Sequence, residues 1–393
     1  MKDESIAVVA GRHPHSHYGV VNTPVFRAST ILFETFEQFD AAAHDPANFH
    51  FAYGRLGTPT SASLEDAMVQ LEGGAHCRLA PSGLAAITTA LMAFLSAGDH
   101  LLMTQGAYPP ARRFCDTVLK KFGVETTFYD PVIDADIAQL IRPNTKIIYV
   151  ESPSSGLIEI QDVPAIAGAA HARGAVVMMD NTWATPLFFK PFEHGVDVSI
   201  QAATKYIVGH SDAMLGTITC TEDMWTALRN THRDLGQMSG ADDIYLALRG
   251  LRTMAVRLAA HYRNGLALAR FLEQRPEVRK VFHPALASDP GHALWQRDFT
   301  GASGLFSFTL RSDIGKRALA AMMDGLKFFG MGYSWGGFES LAAPFKLSRY
   351  RAEMGNAAGD EARWGVRIHA GLENPDDLIA DLEAGFARLT AAE

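Results

Sequence analysis

Residues 163–181 read Val-Pro-Ala-Ile-Ala-Gly-Ala-Ala-His-Ala-Arg-Gly-Ala-Val-Val-Met-Met-Asp-Asn. Residues 163–173 form a helical stretch. Val176–Met179 is a short apolar run that ends on Asp180 and Asn181. The same unit recurs on both sides. Apolar runs occupy 101–103 (Leu-Leu-Met), 147–150 (Ile-Ile-Tyr-Val) and 196–200 (Val-Asp-Val-Ser-Ile), and another helical stretch covers 111–122. Apolar runs alternating with helices predict an α/β fold with a mostly parallel sheet covered on both faces. In segment 82–97, Leu84, Ile87, Leu91 and Leu95 share one helical face. Ser82 is its candidate N-cap and Gly98 a candidate residue beyond its end.

The pattern holds from residue 58 to about 250, the first predicted domain. Residues 251–393 read differently. A long helix is expected over 243–273, a strand at Gly304–Leu310 and an amphipathic helix over 375–389. These suggest a smaller α+β C-terminal domain. Residues 1–57, rich in His, Pro and aromatic residues without a sustained period, read as an arm that packs on a neighbouring subunit.

Composition narrows the function classes. The chain has 393 residues, 48% hydrophobic and 20% charged, the balance of a folded globular protein. Its formal charge of −8, without basic runs, argues against nucleic acid and anionic membranes as partners. No apolar stretch approaches the ~18 residues of a membrane helix. The start, Met-Lys-Asp-Glu, lacks the pattern of a signal peptide. Cys77, Cys115 and Cys220 are far apart and form no metal-type spacing, so they are expected buried and reduced, in a cytoplasmic protein.

In open α/β sheets, ligands bind beyond the carboxyl ends of the strands. The residues after each apolar run are therefore informative. Tyr108 follows the first, Glu151, Ser152 and Ser155 the second, Asp180 the third, and Thr204 with Lys205 the fourth. Ser82-Gly83-Leu84 could add a helix start at the same rim. A helix N-terminus suits a phosphate. A desolvated lysine can form a Schiff base. A carboxylate can keep a pyridine nitrogen protonated, and a tyrosine can stack on the ring. Taken singly, each residue has an ordinary reading: a solvated lysine, a capping aspartate, a common helix start. Taken jointly they describe a pyridoxal-phosphate (PLP) site.

The chain resembles the Cys/Met-metabolism family of PLP enzymes over essentially its whole length. The motifs are Tyr-Gly-Arg-Leu-Gly-Thr-Pro-Thr (53–60), Leu-Glu-Gly-Gly (71–74), Pro-Ser-Gly-Leu-Ala-Ala (81–86), Asp-Asn-Thr-Trp-Ala-Thr-Pro (180–186) and Ala-Thr-Lys-Tyr-Ile-Val-Gly-His-Ser-Asp (203–212). The resemblance implies a fold type I PLP-dependent transferase-like architecture. It implies Lys205 as the Schiff-base lysine, Asp180 as the pyridinium partner and Tyr108 as the stacking ring. Gly83, Leu84 and Thr204 would hold the phosphate. Tyr53 and Arg55 would reach the phosphate of the adjacent subunit, in a homotetramer built from dimers with shared active sites. Arg367 would bind the substrate α-carboxylate.

Two departures from the common pattern matter. Ala202 stands where many members have Ser, which removes one expected phosphate contact. Ser155, in Glu-Ser-Pro-Ser-Ser-Gly (151–156), stands where many have the Asn that faces the cofactor. Both resemble the bacterial branch that cleaves cystathionine at Cβ. So does Tyr-Ser-Trp-Gly-Gly-Phe-Glu-Ser-Leu (333–341), where γ-acting members usually carry a residue smaller than Trp335. Ser334 and Trp335 are thus expected at the substrate, with Arg55 and Tyr108 as candidates for its distal end. The implied reaction converts L-cystathionine to homocysteine, pyruvate and ammonia, with Lys205 and Tyr108 as proton carriers. Alternatives within the family are desulfhydrase, S-conjugate β-lyase, γ-lyase and γ-synthase chemistry, with amino-acid racemisation as a side activity. A far alternative is a non-enzymatic metal-binding or scaffold protein using His13, His15 and His17. These histidines read instead as a polar arm segment.

Overall fold

The computed structural model describes residues 1–44, 51–347 and 364–392. Its strands are β1 (His76–Ala80), β2 (His100–Thr104), β3 (Glu125–Tyr129), β4 (Thr145–Glu151), β5 (Val176–Asp180), β6 (Val198–Gln201), β7 (Gly216–Cys220), β8 (Val278–Phe282), β9 (Leu305–Leu310), β10 (Leu341–Lys346) and β11 (Trp364–His369). Among the described residues, β1 to β7 form one sheet in the order β1-β7-β6-β5-β4-β2-β3. Its pairs are parallel except those of β7, which runs antiparallel to both β1 and β6.

The short apolar runs are strands because both of their faces are buried. Leu101, Met103, Ile147, Tyr149 and Met178 pack on one side with Ile87 and Leu91 of the helix Gly83–Phe94. Leu102, Ile148, Val150, Val177 and Met179 pack on the other with Val163 and Ile166 of the helix Val163–His171. The second sheet is antiparallel throughout, in the order β10-β11-β9-β8. Its apolar face joins the helices Lys316–Met323 and Pro375–Ala392 in a separate core around Phe306, Phe308 and Phe386.

Two expectations need correction. The helix expected over 243–273 is two helices, Ala241–Leu251 and Met254–Glu273. Between them Thr253 leaves helical geometry at φ −111° and ψ 4°, and Arg252 donates from Nη1 to the carbonyls of Ala7 and Ala10, both at 2.9 Å. The helix expected over 82–97 ends at Phe94, because Leu95 turns extended. Gly98 instead serves a tight turn at φ +89°, where Asp99 Oδ2 accepts from the Ser96 amide.

Candidate active site

Lys205 lies just past the carboxyl end of β6, on a turn closed by the Lys205 amide donating to the Ala202 carbonyl at 2.9 Å. Its Nζ donates to Ser334 Oγ at 2.6 Å and stands 5.3 Å from the centroid of the Trp335 ring. Burial first and the Arg367 charge second, opposed by Asp180, lower the Lys205 pKa to about 8. Such a lysine is partly neutral, hence nucleophilic and basic, near physiological pH.

Asp180 ends β5. The amide and hydroxyl of Thr182 both donate to its Oδ1, at 3.0 and 2.5 Å. The same hydroxyl oxygen accepts from the Ala202 amide at 2.8 Å, which ties the carboxylate to the lysine turn. Burial pushes Asp180 up, while the Thr182 bonds and the Lys205 charge pull it back. Glu151 ends β4, in register with Asp180. It accepts from the Tyr108 amide at 2.7 Å and from Ser155 Oγ at 2.5 Å. Burial first, and the Asp180 charge second, push Glu151 well above the carboxylate range. Tyr108 starts the turn into the helix Pro109–Phe114 with its side chain still 43% exposed. Burial, Asp180 and Glu151 raise its phenol pKa.

The helix Gly83–Phe94 begins at the end of β1. Ser82 caps it, its Oγ accepting from the Ala85 amide at 3.1 Å. A Cβ on Gly83 would lie 2.5 Å from the Ala202 Cβ, so the helix start is pressed against the lysine turn. The Thr204 hydroxyl bridges to Leu215, accepting from its amide at 2.9 Å and donating to its carbonyl at 3.2 Å.

The second sheet supplies the opposite wall. Arg367, on β11, donates from Nη2 to the Ser334 carbonyl at 3.2 Å. Ser334 holds φ +92°, a region unusual for a residue with a side chain. A Cβ on Gly336 would come within 2.9 Å of Lys205, so this backbone rests directly on the lysine. Trp335 packs 5.5 Å from the ring of Tyr206.

Lys205, Ser334, Trp335, Arg367 and Asp180 thus form one cluster, with Tyr108, Ser155, Gly83, Leu84 and Thr204 on the elements around it. Tyr53 and Arg55 take their bonds elsewhere. Tyr53 bridges Thr30 in the arm, and its hydroxyl accepts from Ser29 Oγ at 3.5 Å. Arg55 donates to the Arg233 carbonyl at 2.9 Å and lines a cavity of about 270 Å³ with Arg27, Arg78 and His232. Sequence reasoning named Glu151 without a role and passed over Thr182. The available signals were position: Glu151 is the last residue of its strand, and Thr182 is two residues past Asp180. His13 lies 3.7 Å from Asp66 at an exposed site, and no group of three potential metal ligands occurs among the described residues. No described helix is long and apolar enough to cross a membrane.

The site fits PLP on its own geometry: a lysine near neutrality, a buried carboxylate beside it, and a glycine-started helix with no room for a side chain between them. The family model for "Cys/Met metabolism PLP-dependent enzyme" matches residues 4–387. The chain is 47% identical over 384 residues to the cystathionine beta-lyase MetC of Escherichia coli (strain K12), covering 97% of each. It is 40% identical over 399 residues to the L-alanine/L-glutamate racemase of Wolbachia pipientis wMel, covering 99% of this chain and 98% of that one. The crystal structure of cystathionine gamma synthase from Xanthomonas oryzae pv. oryzae in complex with cystathionine superposes with TM-score 0.90 at 32% identity over 100% of both chains.

Proposed function

We propose, from the premise that this chain belongs to the Cys/Met metabolism family of PLP-dependent enzymes, that it is a carbon–sulfur β-lyase cleaving L-cystathionine to homocysteine, pyruvate and ammonia. The observation that carries the reading is the near-full-length 47% identity to an enzyme of that name. Bound at Lys205, PLP supplies an electron sink for the charge that develops at the substrate Cα.

The residues divide the remaining work. Arg367 presents a planar fork to the substrate α-carboxylate. The neutral amine of Lys205 takes the Cα proton, and its lowered pKa suits that exchange. Asp180 would keep the pyridine nitrogen protonated, and Tyr108 would stack on the ring. Gly83, Leu84 and Thr204 would hold the phosphate, Ser155 would stand at the ring, and Ser334 and Trp335 would wall the substrate. When the Cβ–S bond breaks, its electron pair stays on sulfur. Lys205, with Tyr108 as partner, returns a proton there, and homocysteine leaves for methionine synthesis. The three-carbon remainder takes up water and departs as pyruvate and ammonia.

Assembly and compartment belong to the same reading. The chain works as a homotetramer, a dimer of dimers in which Tyr53 and Arg55 complete the neighbour's site. Two features support this: Arg55 is bonded away from the Lys205 cluster, and the arm exposes Tyr18, Leu32 and Phe36. It works in the cytoplasm, in keeping with three buried, unpaired cysteines. A side activity as an amino-acid racemase is supported by the Wolbachia relative and by two proton carriers at one site.

The test is keto-acid analysis after incubating the PLP-loaded protein with L-cystathionine. Pyruvate with homocysteine is expected, and Lys205→Ala should abolish both. Release of 2-oxobutyrate instead would place the scissile bond at Cγ and refute the reading. Incubation with L-alanine tests the side activity, which predicts D-alanine.

A further inference from the structure

We propose that His369 is a positioning residue that fixes the loop Ser334–Gly337 against Lys205, and so sets where the lysine amine and the Trp335 ring stand. This deepens the functional reading above and rests on it.

His369 ends β11, fully enclosed, two residues after Arg367 on the same face of the strand. Both side chains reach the same loop. Arg367 holds the Ser334 carbonyl, while His369 Nε2 lies 3.2 Å from the Gly336 amide and 3.0 Å from the Gly337 carbonyl. An imidazole nitrogen accepts the first contact in one tautomer and donates the second in the other, and either one anchors the loop.

The loop needs such an anchor. It belongs to no helix or strand. Ser334 at φ +92° persists only where the surroundings impose it. Gly336 presses on the Lys205 backbone, so a shift of the loop moves the acceptor of the Lys205 amine and the Trp335 ring together. Burial and the nearby cationic groups keep the imidazole neutral, with its pKa lowered to about 3, so the anchor stays unchanged across the working pH range.

The test uses the PLP-loaded enzyme and the variants His369→Phe, His369→Gln and His369→Ala. Phe keeps a buried ring and removes both nitrogens. Gln can accept from the Gly336 amide and donate to the Gly337 carbonyl at once. The readouts are the pH midpoint of the visible absorption of bound PLP, the ratio of pyruvate to 2-oxobutyrate from L-cystathionine, kcat separated from KM, and Tm. His369→Phe should move the midpoint by about half a pH unit, lower kcat roughly tenfold and raise the 2-oxobutyrate share. His369→Gln should return all three toward wild type. A lowered Tm with midpoint and ratio unchanged would overturn the proposal, as would failure of Gln to restore them. Should neither Phe nor Ala give a folded holoenzyme, His369 is a folding determinant and the proposal falls. A wild-type protein with no visible band on adding PLP would refute the functional reading itself, a distinguishable outcome.

Discussion

Glu151 and Asp180 stand opposite each other in the register of β4 and β5, two buried carboxyls one strand apart. Like charges so placed do not both ionise freely. Glu151 is pushed up by burial and by Asp180, whereas Asp180 is drawn back down by Thr182 and Lys205. Both carboxyls are raised by burial, and of the two Asp180 is the one whose charged form its neighbours favour. Glu151→Gln should keep the bonds to Tyr108 and Ser155 and hold kcat/KM within roughly threefold of wild type. Asp180→Asn should lose about 10²-fold or more. Steady-state kinetics with L-cystathionine compare the two, and equal losses would contradict the charge assignment.

Lys205 titrates at about 8 rather than 10.5, because burial and Arg367 disfavour its ammonium form. Only the neutral amine attacks an aldehyde. Apoprotein should therefore take up PLP faster as pH rises through about 8, then level off. Arg367→Gln removes a cationic neighbour, so its midpoint should lie higher. Stopped-flow absorbance measures both, and a rate independent of pH would remove Lys205 as the group taking up the cofactor. Stability carries the same sign. Between about 8 and 10.5 the unfolded chain holds this proton more tightly than the folded one, so the lysine's contribution grows as pH rises through that window.

Gly83→Ala places a methyl group 2.5 Å from the Ala202 Cβ. The helix start or the lysine turn must then give way, at a cost of about 1–3 kcal/mol. PLP affinity should fall together with Tm, since the displaced amides are those expected at the phosphate. Equilibrium dialysis beside a thermal melt shows whether both move. Unchanged affinity would remove this helix start from the phosphate site.

Arg55→Ala and Lys205→Ala should each inactivate their own homo-oligomer. Mixed and reassembled, they should regain about a quarter of wild-type activity, since half of randomly paired dimers hold one intact site. Absence of recovery in a mixture shown by mass spectrometry to contain hetero-oligomers would exclude a shared site.

Much of this arrangement is legible in a single sequence for one geometric reason. Parallel strands send their carboxyl ends the same way, so the residues after each apolar run, Tyr108, Asp180 and Lys205, must meet at one rim. What escapes notice depends on partners far along the chain. β7, Gly-Thr-Ile-Thr-Cys, is wholly buried yet only weakly apolar, so it gives no run to read. β3 is a partly exposed edge with two threonines. Arg252, at the break between two helices, bonds carbonyls more than 200 positions away, beyond any local period. Ser334 sits in a loop with no pattern of its own, and it meets Lys205 only because β11 carries Arg367 and His369 to that place.

The place of β7 bears on how the protein is made. It is the last strand of its sheet to leave the ribosome, and it fits between β6 and β1, the strand made first. Until residue 216 emerges, β1 has no neighbour and the sheet is in two pieces. Gly216 then tucks beneath the Ser82 carbonyl, where a side chain would strike it, and brings the Gly83 helix onto Ala202. A nascent chain stopped short of β7 already contains Lys205 and Asp180, but its β1 has no strand to pair with. The seating of β1, and of the Ser82 cap that follows it, therefore waits on that one strand.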